Sequence, residues 1–442
     1  MQTRFGKILR PIEYYLHHQS TAGILLLFSA FAAIVWANSP WGAVYTHLWE
    51  YEISVRVGTY EITNTVHHWI NDGLMAMFFF VIGLELKREI MAGELSDIRK
   101  AMLPLVAAAG GMILPAVIFI LFNPTGEANN GWGIPMATDI AFALGIISLL
   151  GKRVPLSLKI FLTALAIADD IGAVLVIAFF YTSHISTDSL VMGAIFMAVL
   201  LAANYLGIRN TLFYGLVGIG GVWLAFLMSG VHATIAGVLA ALAIPARTKI
   251  NEEKFIAALE EKLRQFHLIP PNDVTLLEPA QYEVIENIHE LTKAAGTPLQ
   301  KLEHQLHPWV SYLIMPLFAL ANAGIVIDTS ILGELFTTNL SLGVMIGLIA
   351  GKFLGVVVFC WIMIKLKLSV LPAGMNWAHL LGAGLLAGVG FTMSLFITTL
   401  AFDIPQFVTE AKVGIFTASI VSGVLGYFAL RKASTIQAPS EP

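Results

Sequence analysis

Twelve apolar runs, each 16 to 26 residues long, dominate this 442-residue sequence. About 20 apolar residues carry an α-helix across a bilayer core. Within lipid the backbone must bond to itself, so runs of this length read as helices. Twelve of them use roughly 240 residues and leave the rest for connections. Composition agrees, with 57% hydrophobic and 12% charged residues and a mean hydropathy of +0.78. A soluble domain carries about 25% charged residues, so a water-soluble globule is excluded. Disorder is excluded too, because it needs low hydrophobicity and high net charge. The sequence therefore reads as one all-α polytopic membrane domain over residues 1–442, with about 12 transmembrane helices. A net charge of −4 gives no pull toward nucleic acid. The single cysteine, Cys360, lies in an apolar run, which leaves no disulfide framework and no cysteine-based metal site.

The runs fall at about 21–38, 66–87, 101–122, 133–150, 156–181, 188–203, 211–226, 229–244, 308–327, 341–363, 377–400 and 408–430. Arg4, Lys7 and Arg10 before the first run imitate a signal peptide. The polar stretch there is long and eleven more runs follow, so we expect the first run to be a retained span. Positive charge sets the orientation. With both termini in the cytoplasm, 22 of the 25 Lys and Arg residues fall inside, Arg56 and Lys412 fall outside, and Lys352 lies within a span. Leaving out the long loop, to which the rule does not apply, the ratio is 15 to 2.

Two connections stand out. Glu52-Ile-Ser-Val-Arg-Val-Gly58-Thr-Tyr-Glu-Ile-Thr63 alternates around a Gly-Thr pair, which predicts a periplasmic β-hairpin within 45–64. Its free edges could pair with a second subunit. The extended cytoplasmic loop 246–307 repeats Phe255, Leu259, Leu263 and Phe266, then Tyr282, Ile285, Ile288 and Leu291, at helical spacing. Two amphipathic helices with a break at Pro270-Pro271 are predicted.

Runs 3–5 start inside and runs 10–12 start outside, as two inverted three-helix repeats require. The middle member of each is interrupted. Pro135 precedes Thr138-Asp139 in one, and Gly382, Gly384, Gly388 and Gly390 precede Thr392 in the other. Paired interruptions point to a binding site at mid-membrane, although glycine-rich spans also serve helix packing.

An ionisable group at this depth costs several kcal/mol and marks function by default. The candidates are Asp72, Glu85, Asp139, Asp169, Asp170, His232 and Lys352. Asp169-Asp170 is the sharpest, midway along Leu165-Ala-Ile-Ala-Asp169-Asp170-Ile-Gly-Ala-Val. Adjacent carboxylates in a low dielectric repel, which favours holding a proton on one of them. Carboxylate oxygens also suit small hard cations. Proton and cation then compete for the same oxygens, which is enough to couple their movements; the bland alternative is a pair held in structural hydrogen bonds.

Asp139 at the first interruption and Lys352 in Ile349-Ala-Gly-Lys352-Phe-Leu-Gly have the signs to neutralise broken-helix ends. Lys352 could instead pair with Asp169 or Asp170. Near the inner face, Glu85, Lys87, Arg88 and Glu89 should meet Glu303, His304 and His307, a mixed cluster able to respond to pH. A solvated helix end accounts for it equally well, and the His304–His307 spacing resembles a metal pair only weakly. His232 reads as a polar residue at a helix start, and Asp72 as part of a polar helix face.

These residues carry a resemblance. Trp69-Ile-Asn-Asp72, Gly83-Leu-Glu-Leu-Lys-Arg-Glu89, Ala137-Thr-Asp-Ile-Ala-Phe-Ala-Leu-Gly145, Ala168-Asp-Asp-Ile-Gly172 and Ser229-Gly-Val-His-Ala-Thr234 resemble the NhaA-type sodium/proton antiporters of bacteria. So do Leu306-His-Pro-Trp309, Pro316-Leu-Phe-Ala-Leu-Ala-Asn322 and Ala387-Gly-Val-Gly-Phe-Thr-Met-Ser394. The match runs over most of 14–431, in family order. That family is itself an example of inverted repeats with discontinuous helices, so the repeat gains no independent support from it.

The resemblance implies an antiporter of the inner membrane that exports Na+, and Li+, for external H+ by alternating access. It implies Asp170 as the main cation ligand, with Asp169, Thr138 and Asp139 nearby and Lys352 as partner of Asp169 or of the broken helices. Asp72 would serve the pathway. Glu85, Arg88, Glu303, His304 and His307 would form the pH-response region, with His232 shaping the pH profile. The hairpin would build a homodimer, and the double Asp resembles electrogenic members. No cofactor is implied. The 246–300 stretch is much longer than the family pattern and suggests a regulatory cap.

Two other classes fit the sequence less well. A diphosphate-handling enzyme needs further acids at spaced positions and basic residues, whereas Ile171, Gly172 and Ala173 follow the pair. A passive cation channel needs a continuous pore, for which central carboxylates in an inverted repeat are the wrong design.

Overall fold

The computed structural model describes residues 19–57, 60–182, 186–270, 276–326, 333 and 337–435. The basic N-terminal tail, the Gly58-Thr59 turn and Pro271 lie outside them. Helices occupy every predicted run. They are α1 (Gln19–Ala37), α2 (Gly42–Glu50), α3 (Val66–Ala92), α4 (Ile98–Phe122), α5 (Ile140–Leu150), α6 (Leu156–Phe180), α7 (Thr187–Tyr205) and α8 (Thr211–Ser229). Then follow α9 (Ala233–Ala243), α10 (Glu252–Leu268), α11 (Pro279–Ala295), α12 (298–322), α13 (Asn339–Lys365), α14 (Trp377–Ala387), α15 (Phe391–Ala401) and α16 (Pro405–Thr435).

Among the described residues nine helical segments are long and apolar enough to cross a membrane, or ten if α1 and α2, bent by 113°, form one span. The other two predicted runs fall on α9, only 11 residues long, and on α12, whose first three turns are polar and whose apolar part is short. The chain is a multi-pass membrane protein.

The predicted hairpin is present as β1 (Glu52–Val57) and β2 (Tyr60–Thr65), antiparallel with Glu52 opposite Thr65 and Val57 opposite Tyr60. The loop helices α10 and α11 pack on each other. Asn251 caps the first, and Glu278 with Gln281 forms a capping box on the second. Pro279 at the first position of α11 suits a helix start.

Two apolar clusters hold the bundle. One joins α1, α3, α8, α9, α12 and α15. The other joins α4, α5, α6, α13 and α14. The broken pair α14–α15 is the most enclosed span, 89% buried, whereas α7 on the rim is 17% buried. The second cluster positions the site. Gly110 of α4 and Gly355 of α13 meet backbone to backbone, and a Cβ on either would overlap the other's carbonyl. That contact brings Lys352 beside Gly111, on the side of α4 that faces α6.

Candidate functional site

Asp169 and Asp170 sit midway along α6 with no exposure. Helical neighbours diverge by about 100°, so the two carboxylates face different surroundings. Asp169 Oδ2 accepts from Lys352 Nζ, in an ion pair with both side chains fully buried. It also accepts from Thr138 Oγ1 at 2.8 Å. Of the alternatives open for Lys352, the structure takes Asp169 as partner. Asp169 Oδ1 and both oxygens of Asp170 have no hydrogen-bond partner. Buried polar atoms are nearly always satisfied, so three orphan carboxylate oxygens at one place need an explanation.

The predicted interruptions are real and they meet. A 3₁₀ segment, Glu127–Met136, ends at Ala137, which is extended, and α5 starts after Asp139. Opposite it, α14 ends at Ala387 and α15 starts at Phe391. Asp139 caps both downstream helices. Its Oδ1 accepts from Phe142 N at 3.0 Å, and its Oδ2 accepts from Thr392 N at 3.0 Å and Thr392 Oγ1 at 2.5 Å. One carboxylate thus neutralises two positive helix ends.

Two upstream carbonyls are bonded across the gap. Asp139 N donates to Val389 O at 2.7 Å, and Ser394 Oγ donates to Ile134 O at 2.8 Å, while the Thr138 hydroxyl, with one proton to give, lies between Asp169 Oδ2 and Ala387 O at 2.8 and 2.9 Å. At Gly390 an added Cβ would crowd Ala137 O at 3.0 Å, so the close crossing requires glycine there. Of the two charges named for the helix ends, Asp139 bonds both, and Lys352 takes its alternative partner, Asp169.

At the other end of α3 the predicted acid, base and histidine cluster assembles. Arg88 donates to Glu303 and, at 3.0 Å, to Glu89 Oε1. His307 Nε2 lies 4.0 Å from Glu85 Oε1. His304 joins Arg88, Glu303 and His307 on the wall of an open cavity of about 1150 Å³, whose far side is formed by residues of the long loop, Lys249 and Lys293 among them. Burial raises the Glu303 pKa, and the Arg88 charge opposes the shift. Burial lowers the His307 pKa, helped by the Arg88 and His304 charges.

Two predicted residues stand apart from the carboxylate pair. Asp72 Oδ2 is 2.9 Å from His68 Nε2, one turn back on its own helix. His232 precedes α9 and its Nε2 lies 2.7 Å from Tyr181 O, at the end of the helix that carries the aspartates.

The structure adds residues that the sequence reading did not select. Thr392 and Ser394 brace the crossing, and only their place just after Gly390 hinted at it. Lys87, expected in the inner-face cluster, has a role the sequence did not show, for it caps α9 through Leu242 O at 2.7 Å and Ile244 O. Tyr181 Oη donates to Asn130 O at 2.6 Å and so pins the 3₁₀ segment. Among the described residues no three His, Cys, Asp or Glu side chains converge as a metal centre.

A membrane-embedded crossing of two broken helices, with buried carboxylates and a lysine at its centre, defines an ion-handling membrane transporter. Comparison makes this specific. The sequence model of the Na+/H+ antiporter 1 family matches residues 13–430, and the chain belongs to that family. Its relatives include the Na(+)/H(+) antiporter NhaA of Oleidesulfovibrio alaskensis, 49% identical over 426 residues that cover 96% of this chain and 94% of that one. Na(+)/H(+) antiporter NhaA 2 of Syntrophotalea carbinolica is 45% identical over 438 residues, covering 99% and 100%. Na(+)/H(+) antiporter NhaA 1 of Saccharophagus degradans is 44% identical over 433 residues, covering 98% and 93%.

Proposed function

We propose that this chain exports Na+, and Li+, in exchange for external protons, and that Asp170 is the principal site of both. The observation that carries this reading is the pair of unpartnered oxygens on Asp170, fully buried beside an Asp169 already engaged by Lys352 and Thr138. Such oxygens are ready donors for a small hard cation, and the same oxygens bind protons. Further donors would be hydroxyl, carbonyl or water oxygens of the crossing. Sodium and proton exclude one another, and alternating exposure of the site to the two sides then exchanges them. Two carboxylates and a lysine together release more than one proton per cation, which makes the cycle electrogenic.

The positive-charge distribution supports a cytoplasmic membrane location with both termini inside. In that orientation the Glu85, Arg88, Glu303, His304 and His307 cluster faces the cytoplasm and regulates the transporter by pH. His232, tied to the end of α6, shapes the pH profile, and Asp72 serves the outer part of the pathway. The 45–64 hairpin joins two copies as a homodimer. The loop 246–307 caps the cytoplasmic cavity, and deletion of 250–298 should change the pH profile.

The test uses energised inside-out vesicles from cells lacking their own antiporters, with a fluorescent base reporting the pH gradient. Addition of Na+ or Li+ at pH 6.5, 7.5 and 8.5 should collapse the gradient, and Asp170→Asn should abolish the response. Exchange surviving Asn at both 169 and 170 would overturn the mechanism.

A further inference from the structure

The segment that leads into Asp139 is held, at its end far from Asp139, by a residue that the carboxylate site does not contain. Glu127–Met136 runs as a 3₁₀ helix for 10 residues. Such runs seldom exceed about four residues, because their hydrogen bonds are poorly aligned. Pro135 within it removes a further donor. A rod of this kind needs support from its neighbours, and Tyr181, just past the end of α6, supplies it. Its Oη donates to Asn130 O at 2.6 Å and accepts from Gly133 N at 3.3 Å. Those two backbone groups are the acceptor and donor ends of one 3₁₀ turn, so the phenol clasps a whole turn with its donor and an acceptor lone pair. Gly133 makes room for it, since an added Cβ would lie 2.8 Å from Tyr181 Oη. His232 Nε2, 2.7 Å from Tyr181 O, steadies the clasp from behind. Trp132 also packs edge-on against Phe180, with ring centroids 5.0 Å apart. An apolar ring contact tolerates sliding, whereas directional hydrogen bonds fix a register.

We propose that Tyr181 is a positioning residue for the cation site, setting how Thr138 and the crossing stand relative to Asp170 and thereby which ion size the site prefers. The proposal rests on the reading of Asp170 as the cation ligand. Among the described residues, hydrogen bonds join α6 and its end to the broken span at two places. One is Thr138 beside Asp169, and the other is Tyr181 on Asn130 and Gly133. The first is conditional, because the single Thr138 proton serves either Asp169 Oδ2 or Ala387 O, and Asp169 belongs to the ion-handling centre. The second uses a phenol and two backbone groups, none of which the transport cycle ionises, so it keeps its register while the first changes. From Asp169 to Tyr181 the chain of α6 rises about 18 Å, at 1.5 Å per residue, and the 3₁₀ rod spans the same interval beside it. Ser394 Oγ ties the rod to α15 at Ile134 O. Opening the clasp therefore frees the rod and α15 together to slide against α6. Selection between hard cations of different size depends on cavity size and on how rigidly the oxygen donors are held.

The test is Tyr181→Phe in the vesicle assay, with Na+ and Li+ each titrated at pH 8.5. The half-saturating Na+ concentration should rise about 3- to 10-fold, the scale of a lost neutral hydrogen bond, while the saturated rate is kept. The half-saturating Li+ concentration should rise by a different factor, because the ions differ in size. Gly133→Ala probes the same contact from the other side. Alone it should shift both values in the same direction, because its Cβ displaces the hydroxyl. Added to Tyr181→Phe it should change nothing more, since the nearest ring carbons lie 3.3 and 3.4 Å from that Cβ. Amide hydrogen exchange of the full-length protein gives a readout that needs no transport. Peptides covering 127–136 should exchange faster in Tyr181→Phe, and those covering 391–401 should not. Unmoved half-saturation, equal factors for the two ions, a loss confined to the saturated rate, or unchanged exchange over 127–136 would overturn the proposal. Should Tyr181→Phe fail to fold, an unshifted Gly133→Ala overturns it instead. Absence of exchange transport in the wild type counts against the Asp170 reading, whereas wild-type transport with an unmoved Tyr181→Phe counts against the clasp alone.

Discussion

The two ends of the ionisable chemistry in this molecule are built by different rules. At mid-membrane, Asp139, Asp169, Asp170 and Lys352 are fully enclosed. At the end of α3, Arg88 is 39% and His307 49% exposed, beside more enclosed Glu85 and Glu303. In the first region a lost partner strands a charge in a low dielectric. In the second, water stands in for a lost partner, so a substitution there changes titration more than stability. That contrast is why the roles proposed above, ion binding at the centre and pH response at the wet cluster, make different demands on a substitution.

The strongest break of this comparison is Asp170→Asn. It alters a side chain whose carboxylate oxygens hold no hydrogen-bond partner, so the fold should survive while exchange falls to background in the vesicle assay. Unfolding of this variant would instead mark Asp170 as structural.

Lys352→Met should cost about 3–5 kcal/mol of stability, read as a lowered melting temperature in detergent, because Asp169 is left charged and buried without its partner. Adding Asp169→Asn should recover most of that loss while transport stays absent. If Lys352→Met melts with the wild type, the pair is not holding the core.

Thr392→Val sharpens the comparison within the centre itself. It keeps the shape and removes one of the two donors to Asp139 Oδ2. A loss of about 1–3 kcal/mol is expected for a buried acceptor deprived of a bond, with Thr392→Ser restoring it. A backbone amide remains on that oxygen, which places the loss below that of Lys352→Met.

Most of this architecture was legible in the sequence, for physical reasons. Bilayer thickness forces run length, and breaks in lipid need Gly, Pro and polar groups, so Pro135 and Gly388–Gly390 were visible as interruptions. The Asp169-Asp170 pair was visible because charge within an apolar run is rare. Three-dimensional choices were not legible. Lys352 could bond a helix end or either aspartate, and only the Gly110–Gly355 contact, which sets how α13 lies on α4, decides for Asp169. Thr392, Ser394 and Asn322 are ordinary polar residues whose partners lie more than 250 positions away in sequence. The length of α9 was also beyond the runs alone, because its helix covers 11 residues of a longer apolar stretch.

The smallest effect on stability should come from the wet cluster, where the sign of the pH dependence is the informative part. His307 is held below its ordinary value of 6.5. As pH falls past that value the unfolded chain binds a proton that the folded one resists, so His307 lowers stability on the acid side. Glu303 is held above its ordinary 4.5. The folded chain keeps a proton there that the unfolded chain loses, so Glu303 lowers stability as pH rises through that window. Replacing His307 by Gln should change stability at neutral pH by under about 1 kcal/mol, flatten the acid limb of both melting temperature and transport, and leave the alkaline limb alone. Glu303→Gln frees Arg88 and should act on the pH region above 4.5 instead. Should both variants reproduce the wild-type transport profile, the cluster is a solvated helix end and its proposed pH response fails.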